Sequence, residues 1–296
     1  MHFDPSVFFN QVLSGLSTAM LLFIAAAGLS LVFGVLRLLN FAHGSFYMLG
    51  AFLTWQINTK LGGGEGVFWL SVVLAALSVA LIAVIIEMTV FKHLYGRPEL
   101  IQLLFTYALV LLTGDAVKWI WGSQQVSLSR PDSLVGAFNM GSVILPYYNL
   151  FLLCAGFGTA LLLWLLMQKT RIGMMVRAAA TDREMLQLLG VRVKLVYTCV
   201  FAASAFLAGL AGALVSPTQS IVPGMDGDVI ISLFIIVVIG GMGSVWGALL
   251  GSIIYGITLA FGIMWFPQFS LFAVAGLMVV ILIFRPQGLV GEVQTR

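Results

Sequence analysis

Two polar stretches interrupt an otherwise apolar chain, and both contain residue types able to do chemistry. In LRLLNFAHGSF, residues 36–46, Arg37 closes the first apolar run, Asn40 is placed to cap the helix that follows, and His43 falls one turn inside that helix. A histidine titrates near neutral pH, so His43 is a candidate gate or proton-sensitive switch. The competing reading is a packed, hydrogen-bonded side chain at an internal turn, because no carboxylate neighbours it in sequence.

The second stretch, RAAATDREMLQLLGV, spans residues 177–191 and sets Arg177, Asp182, Arg183 and Glu184 among small and apolar residues. Thr181 followed by Glu184 matches a capping box, which starts a new short helix at Asp182. Met185, Leu188 and Leu189 recur at helical spacing, and Gly190 supplies a left-handed stop. The pattern predicts two short helices, about 171–180 and 182–189, meeting at a capped corner within a segment running from 171 to 193. One account lays this element flat at the lipid headgroups, anchored by its arginines. The other inserts it into a soluble partner, with Met185 and Leu188 as apolar anchors and Asp182, Arg183 and Glu184 as a charged rim.

The elements that position these residues are set by composition. Of 296 residues, 61% are hydrophobic and 8% charged, and the mean hydropathy is +1.09. That balance excludes a water-soluble domain. Long uncharged runs without strand alternation predict an all-α, polytopic transmembrane bundle rather than a barrel. Spans fall at about 10–35, 41–56, 67–90, 100–118, 147–168, 195–215, 229–242, 246–264 and 269–284. Two of them, 41–56 and 229–242, reach only about 24 and 21 Å, less than a bilayer core, and read as broken or re-entrant. Eight to nine membrane-embedded helices are expected. No polar linker divides them, so residues 1–296 read as one domain. The amino terminus lacks a basic n-region and its apolar run is too long for a signal-peptide core, which predicts a retained span.

Eleven of the fourteen basic residues fall on one side if the amino terminus is external; Lys60, Lys118 and Arg130 are left on the other. The positive-inside bias therefore predicts an external amino terminus, a cytoplasmic carboxyl terminus and a cytoplasmic 171–193 segment. The loops at about 122–146 and 216–228 then face outward.

Gln102, Thr106 and Tyr107 lie about one helical turn apart and are candidates to line a passage. Glu87, Asp115 and Lys118 lie near span ends, where they can pair or snorkel. No acid is placed clearly at mid-membrane, which argues against a proton- or sodium-coupled carrier. Gly243, Gly247 and Gly251 repeat every four residues, as do Gly240, Ser244, Ala248, Ser252 and Gly256, predicting a helix pressed closely on two faces. Cys154 and Cys199 read as buried small hydrophobes. No catalytic constellation is visible, and the GxxxxGK[ST] phosphate loop does not occur. Any ATP and magnesium would be bound on another polypeptide, and no metal or cofactor is expected here.

GLSLVFGVLRLLNFAHGSFYMLGAF (28–52), RAAATDREMLQLLGV (177–191), GGMGSVWGALLGSIIYG (240–256) and RPQGLVG (285–291) together resemble the branched-chain amino acid permease family of ABC importers. The resemblance covers nearly the whole chain and is closer to the shorter of that family's two permease subunits. It implies a bacterial inner-membrane subunit paired with a second, homologous permease. Two cytoplasmic ATPases would carry ATP and magnesium, and a periplasmic binding protein would deliver solute. The same resemblance makes residues 177–189 the coupling helix seated on the ATPase, with Asn40 and His43 near the cytoplasmic mouth. The implied solutes are branched-chain or related apolar amino acids; related permeases carry urea, short amides or small aromatic acids. A secondary transporter or channel is the rival class, and it leaves the capped corner without a purpose.

Overall fold

A computed structural model describes residues 5–140 and 143–290. The terminal residues 1–4 and 291–296, Arg296 and the final glycine of RPQGLVG among them, lie outside the described residues, as do 141–142. Among the described residues eleven α-helices make up the bundle: α1 (Pro5–Leu36), α2 (Ala42–Lys60), α3 (Glu65–Thr89), α4 (Glu99–Trp121), α5 (Tyr147–Lys169), α6 (Arg171–Thr181), α7 (Arg183–Leu188), α8 (Val193–Val215), α9 (Met225–Gly240), α10 (Val245–Trp265) and α11 (Ser270–Phe284). The 122–146 loop folds a two-stranded antiparallel hairpin, β1 (Ala137–Met140) and β2 (Val143–Pro146). Contacts sort the helix ends into two groups, a hairpin end and a corner end that carries α6 and α7. At the hairpin end the Ile144 N–H donates to Asn10 Oδ1, the Tyr148 hydroxyl donates to Leu214 O at 2.7 Å, and Val126 pairs with Ile221.

Seven helices are long and apolar enough to cross a bilayer, among the described residues. α2 and α9, the pair predicted to be short, fall outside that set. α9 has 16 residues, about 24 Å of helix. α2, at 19 residues or about 28 Å, runs four residues further than expected, to Lys60, so the short reach expected of 41–56 is corrected: its polar residues, not its length, set it apart from the seven.

α1 is the central pillar. Its most apolar window is 83% buried by protein, against 17% for α4 and 11% for α11. Side chains such as Leu81, Leu112 and Ile283 point outward, which suits lipid and would be a large apolar patch in water. Cys154 and Cys199 are exposed on this outer surface, so the expectation of buried cysteines is corrected: both lie on helix faces turned away from the bundle.

Burial of apolar groups gives little net drive among lipid tails, so close backbone approach does more of the packing. Gly50 of α2 rests on the Gly209 backbone, and Gly212 of α8 on Tyr47 O; a Cβ at either would overlap those atoms. Gly247 and Gly251 press α10 onto α9, while Gly256 presses it onto Gly15 and Ala19 of α1. The helix is thus pinned on two faces, as the repeat predicts, with one correction. Gly243 precedes α10, adopts φ +87° and packs on Gly34 of α1 as a loop residue. The four-residue period runs past the true start of the helix, where Ser244 Oγ accepts from the Gly247 N–H.

The tail RPQGLVG has a structural job the sequence did not disclose. The Leu289 and Val290 N–H groups donate to Ile239 O and Gly240 O at 2.9 and 3.0 Å. They satisfy the last carbonyls of α9, which a helix end otherwise leaves open.

Candidate functional site

The corner is built from three local rules. Thr170 caps α6 by accepting from the Gly173 N–H at 3.1 Å. Gly173 lies so close to Leu166 O and Met167 O that a Cβ would collide with them, which allows the sharp fold from α5 into α6. Asp182 then caps α7, its Oδ1 accepting from the Glu184 and Met185 N–H groups, both at 3.0 Å. Gly190, at φ +80°, ends the element, and its N–H donates to Gln187 O.

The predicted Thr181–Glu184 capping box is therefore corrected. Thr181 is the last residue of α6 and donates its hydroxyl back to Arg177 O at 3.1 Å. Asp182 takes the cap one residue later because an aspartate is the better cap and is already in extended backbone, at φ −147° and ψ 98°. The Glu184 side chain takes no part.

Leu186 is buried and holds α7 to the bundle, whereas Met185, Leu188 and Leu189 are 56%, 84% and 72% exposed. With Arg183 and Glu184 also exposed, α7 presents an apolar patch with a charged edge. Arg177 lies apart from it, on α6, where it lines a groove shared with α1, α5 and α10.

The second polar region is inside. The link 37–41 turns at Arg37, a residue with φ +52°, and carries the chain back into the bundle. His43 Nε2 meets Ala25 O at 2.9 Å, and Ala25 lies eleven residues, roughly 16 Å, back from the end of α1. A carbonyl only accepts, so Nε2 donates and Nδ1 is left to accept from the Ser204 hydroxyl at 3.3 Å. Both ring nitrogens thus have uncharged partners, which favours the packed reading of His43 over the switch. Beside it, the Ser45 hydroxyl donates to Asp226 Oδ2 at 2.9 Å, and the start of α2 packs on the start of α9 through Gly44 and Asp226 O.

Two expectations change here. Asn40 does not cap α2: its carboxamide is fully buried and neither polar atom has a partner among the described residues. Phe41 occupies the cap position, with no side-chain bond. Asp226, placed by sequence in an outer loop, is a buried acid in the first turn of α9. The sequence missed it because VPGMDGD reads as a turn, and only the length of the helix behind it shows that this turn lies within the bundle.

A third polar contact ties the corner to the rest. Buried Glu87 accepts from the Tyr95 hydroxyl at 2.8 Å and from Thr198 Oγ1 at 2.7 Å, joining α3 and the 91–98 loop to the first turns of α8. Burial first, and then the bond to Glu87, hold the Tyr95 phenol above its ordinary range. Asp115 and Lys118 pair at 3.7 Å on the exposed side of α4.

The three α4 candidates are not brought together around a passage. Gln102 Nε2 donates to Arg97 O and Leu94 O, Thr106 bonds Leu103 O and, at 3.4 Å, Leu39 O, and Tyr107 faces outward.

Residues 11–283 match the family model described as the permease component of a branched-chain amino acid transport system. The chain is 28% identical over 295 residues to the high-affinity branched-chain amino acid transport system permease protein BraD of Pseudomonas aeruginosa, covering 96% of each. It is 26% identical to the permease protein LivH of Escherichia coli, again over 96% of each. To the permease protein LivM of Escherichia coli it is 25% identical, over 91% of this chain and 68% of the relative. No solved structure matches.

Proposed function

The chain belongs to the branched-chain amino acid transport permease family, and from that premise we propose that it is the membrane conduit of an ATP-driven importer for branched-chain or related apolar amino acids. In this reading the amino terminus is periplasmic and the corner end faces the cytoplasm. A periplasmic binding protein releases solute at the hairpin end, and a second, related permease completes the passage. Similarity to both LivH and LivM supports two related permeases working as a pair.

The observation that carries the proposal is the exposed patch of Met185, Leu188 and Leu189 on a helix capped at both ends. A six-residue helix has no stability of its own, so its cap, its stop and the Leu186 anchor serve to hold that patch rigid. Each ATPase subunit supplies ATP and magnesium, and the corner receives the movement. From there the path is mechanical. α8 follows the corner directly, is clasped to α3 by Glu87, and carries Ser204, Gly209 and Gly212 against His43 and α2. A shift of α8 therefore acts on the place where α2 and α9 begin. No chemistry on the solute is assigned to this chain.

The test is capture of the ATPase by the full-length permease. Intact protein retains it, and a variant with residues 177–189 scrambled inserts normally but loses it. Equal retention by both overturns the proposal.

A further inference from the structure

A groove of about 210 Å³ opens between α1, α5, α6 and α10 in the corner half of the bundle. Its floor follows α1 from Phe23 to Val35, about 18 Å of helix. Leu163 and Trp164 of α5 form one wall and Trp246 of α10 the other. The polar side chains gather at one end, where Gln168 closes α5 and Arg177 projects from α6. Arg177 is exposed, and among the described residues no carboxylate lies within ion-pair distance of it.

We propose that this groove binds one anionic phospholipid, an acyl chain lying along α1 and the headgroup phosphate at Arg177. The inference requires only that the chain spans a membrane and does not rest on the transport reading. Its chemistry is that of a long, narrow hydrocarbon slot with an unneutralised cation at the mouth. A guanidinium matches the oxygens of a phosphate by paired, charge-assisted hydrogen bonds. The two tryptophans fit an apolar chain that passes near a headgroup. Basic residues close to a membrane surface attract anionic lipid in the same way, and here the groove adds selectivity for a seated chain.

The test uses full-length protein in phosphatidylcholine nanodiscs, into which phosphatidylglycerol with brominated acyl chains is titrated while tryptophan fluorescence is recorded. Brominated phosphatidylglycerol should quench saturably and more strongly than brominated phosphatidylcholine. The excess should vanish in a Trp164→Phe/Trp246→Phe variant, which separates these two from the other tryptophans. Arg177→Gln should weaken the saturable component about fivefold, and Arg177→Lys should restore most of it. Equal quenching by the two lipids, excess quenching that survives loss of both tryptophans, or an unchanged Arg177→Gln titration would each overturn the proposal. So would an absence of quenching of Trp164 and Trp246 by either lipid, the result expected if a neighbouring protein covers the groove.

Discussion

The α6–α7 corner and the junction of α2 with α9 are both polar interruptions of an apolar chain, yet they are built in opposite ways. At the corner the charged and apolar side chains of α7 other than Leu186 face outward, and the bonds present are those that shape the helix itself. At the junction His43, Ser45, Ser204 and Asp226 are buried and hydrogen-bonded across three different helices or to the α1 backbone. An exposed polar group costs nothing to leave unpaired, whereas a buried one costs about 1–3 kcal/mol. The corner is therefore free to be specialised for contact with something outside the chain, while the junction is constrained by the need to fold.

That contrast is testable by what each substitution damages. The largest effect belongs to the inner region: Gly212→Leu drives a side chain into the Tyr47 backbone and should cost about 3 kcal/mol or more, read as loss of monodisperse protein. Next, Ser45→Ala leaves the Asp226 carboxylate without its hydroxyl and should lower stability by about 1–3 kcal/mol, measured as a reduced Tm in detergent. At the corner, Asp182→Ala removes the cap, worth about 1 kcal/mol locally. It should depress ATP-dependent uptake with the global Tm unchanged, while Thr181→Ala and Glu184→Ala retain more uptake than Asp182→Ala. An uptake defect in Glu184→Ala as large as that of Asp182→Ala would show that the charged edge matters as much as the cap. The smallest effect is expected at Asn40, where Asn40→Leu removes a carboxamide with no partner among the described residues and should leave Tm unchanged or slightly raised.

The bundle itself was legible because long uncharged runs admit few alternatives to membrane-spanning helices, and the short run at 229–242 marked α9 as different, whereas the run at 41–56 understated α2 because its polar last turn hides the end of the helix. The corner was legible in outline, since Gly190 and the residues around 181–184 punctuate a helix strongly. Its cap moved from Thr181 to Asp182 because both residues are good caps and the choice depends on where α6 releases the chain. Asn40 and Asp226 were misplaced for a common reason. Sequence reports that a turn occurs but not its depth, and both turns here are drawn into the bundle by glycine-mediated contact between helices distant in sequence. The lock of Glu87 with Thr198 and the capping of α9 by the tail escaped for the same reason: each joins residues that only the packed fold makes neighbours.

Whether a motor on another polypeptide grips this chain through α7 is decided at Leu188, the most exposed apolar residue of that helix. In a background of Cys154→Ser and Cys199→Ser, a Leu188→Cys variant is labelled in membranes with a benzophenone maleimide, which couples to the introduced thiol and on illumination inserts into a C–H bond of whatever lies against it, and is treated separately in cells with a membrane-impermeant thiol reagent. The expected result is a covalent adduct with the ATPase subunit and no labelling from outside. Labelling from the exterior, or an assembled and active importer that gives no adduct at this position, would contradict it.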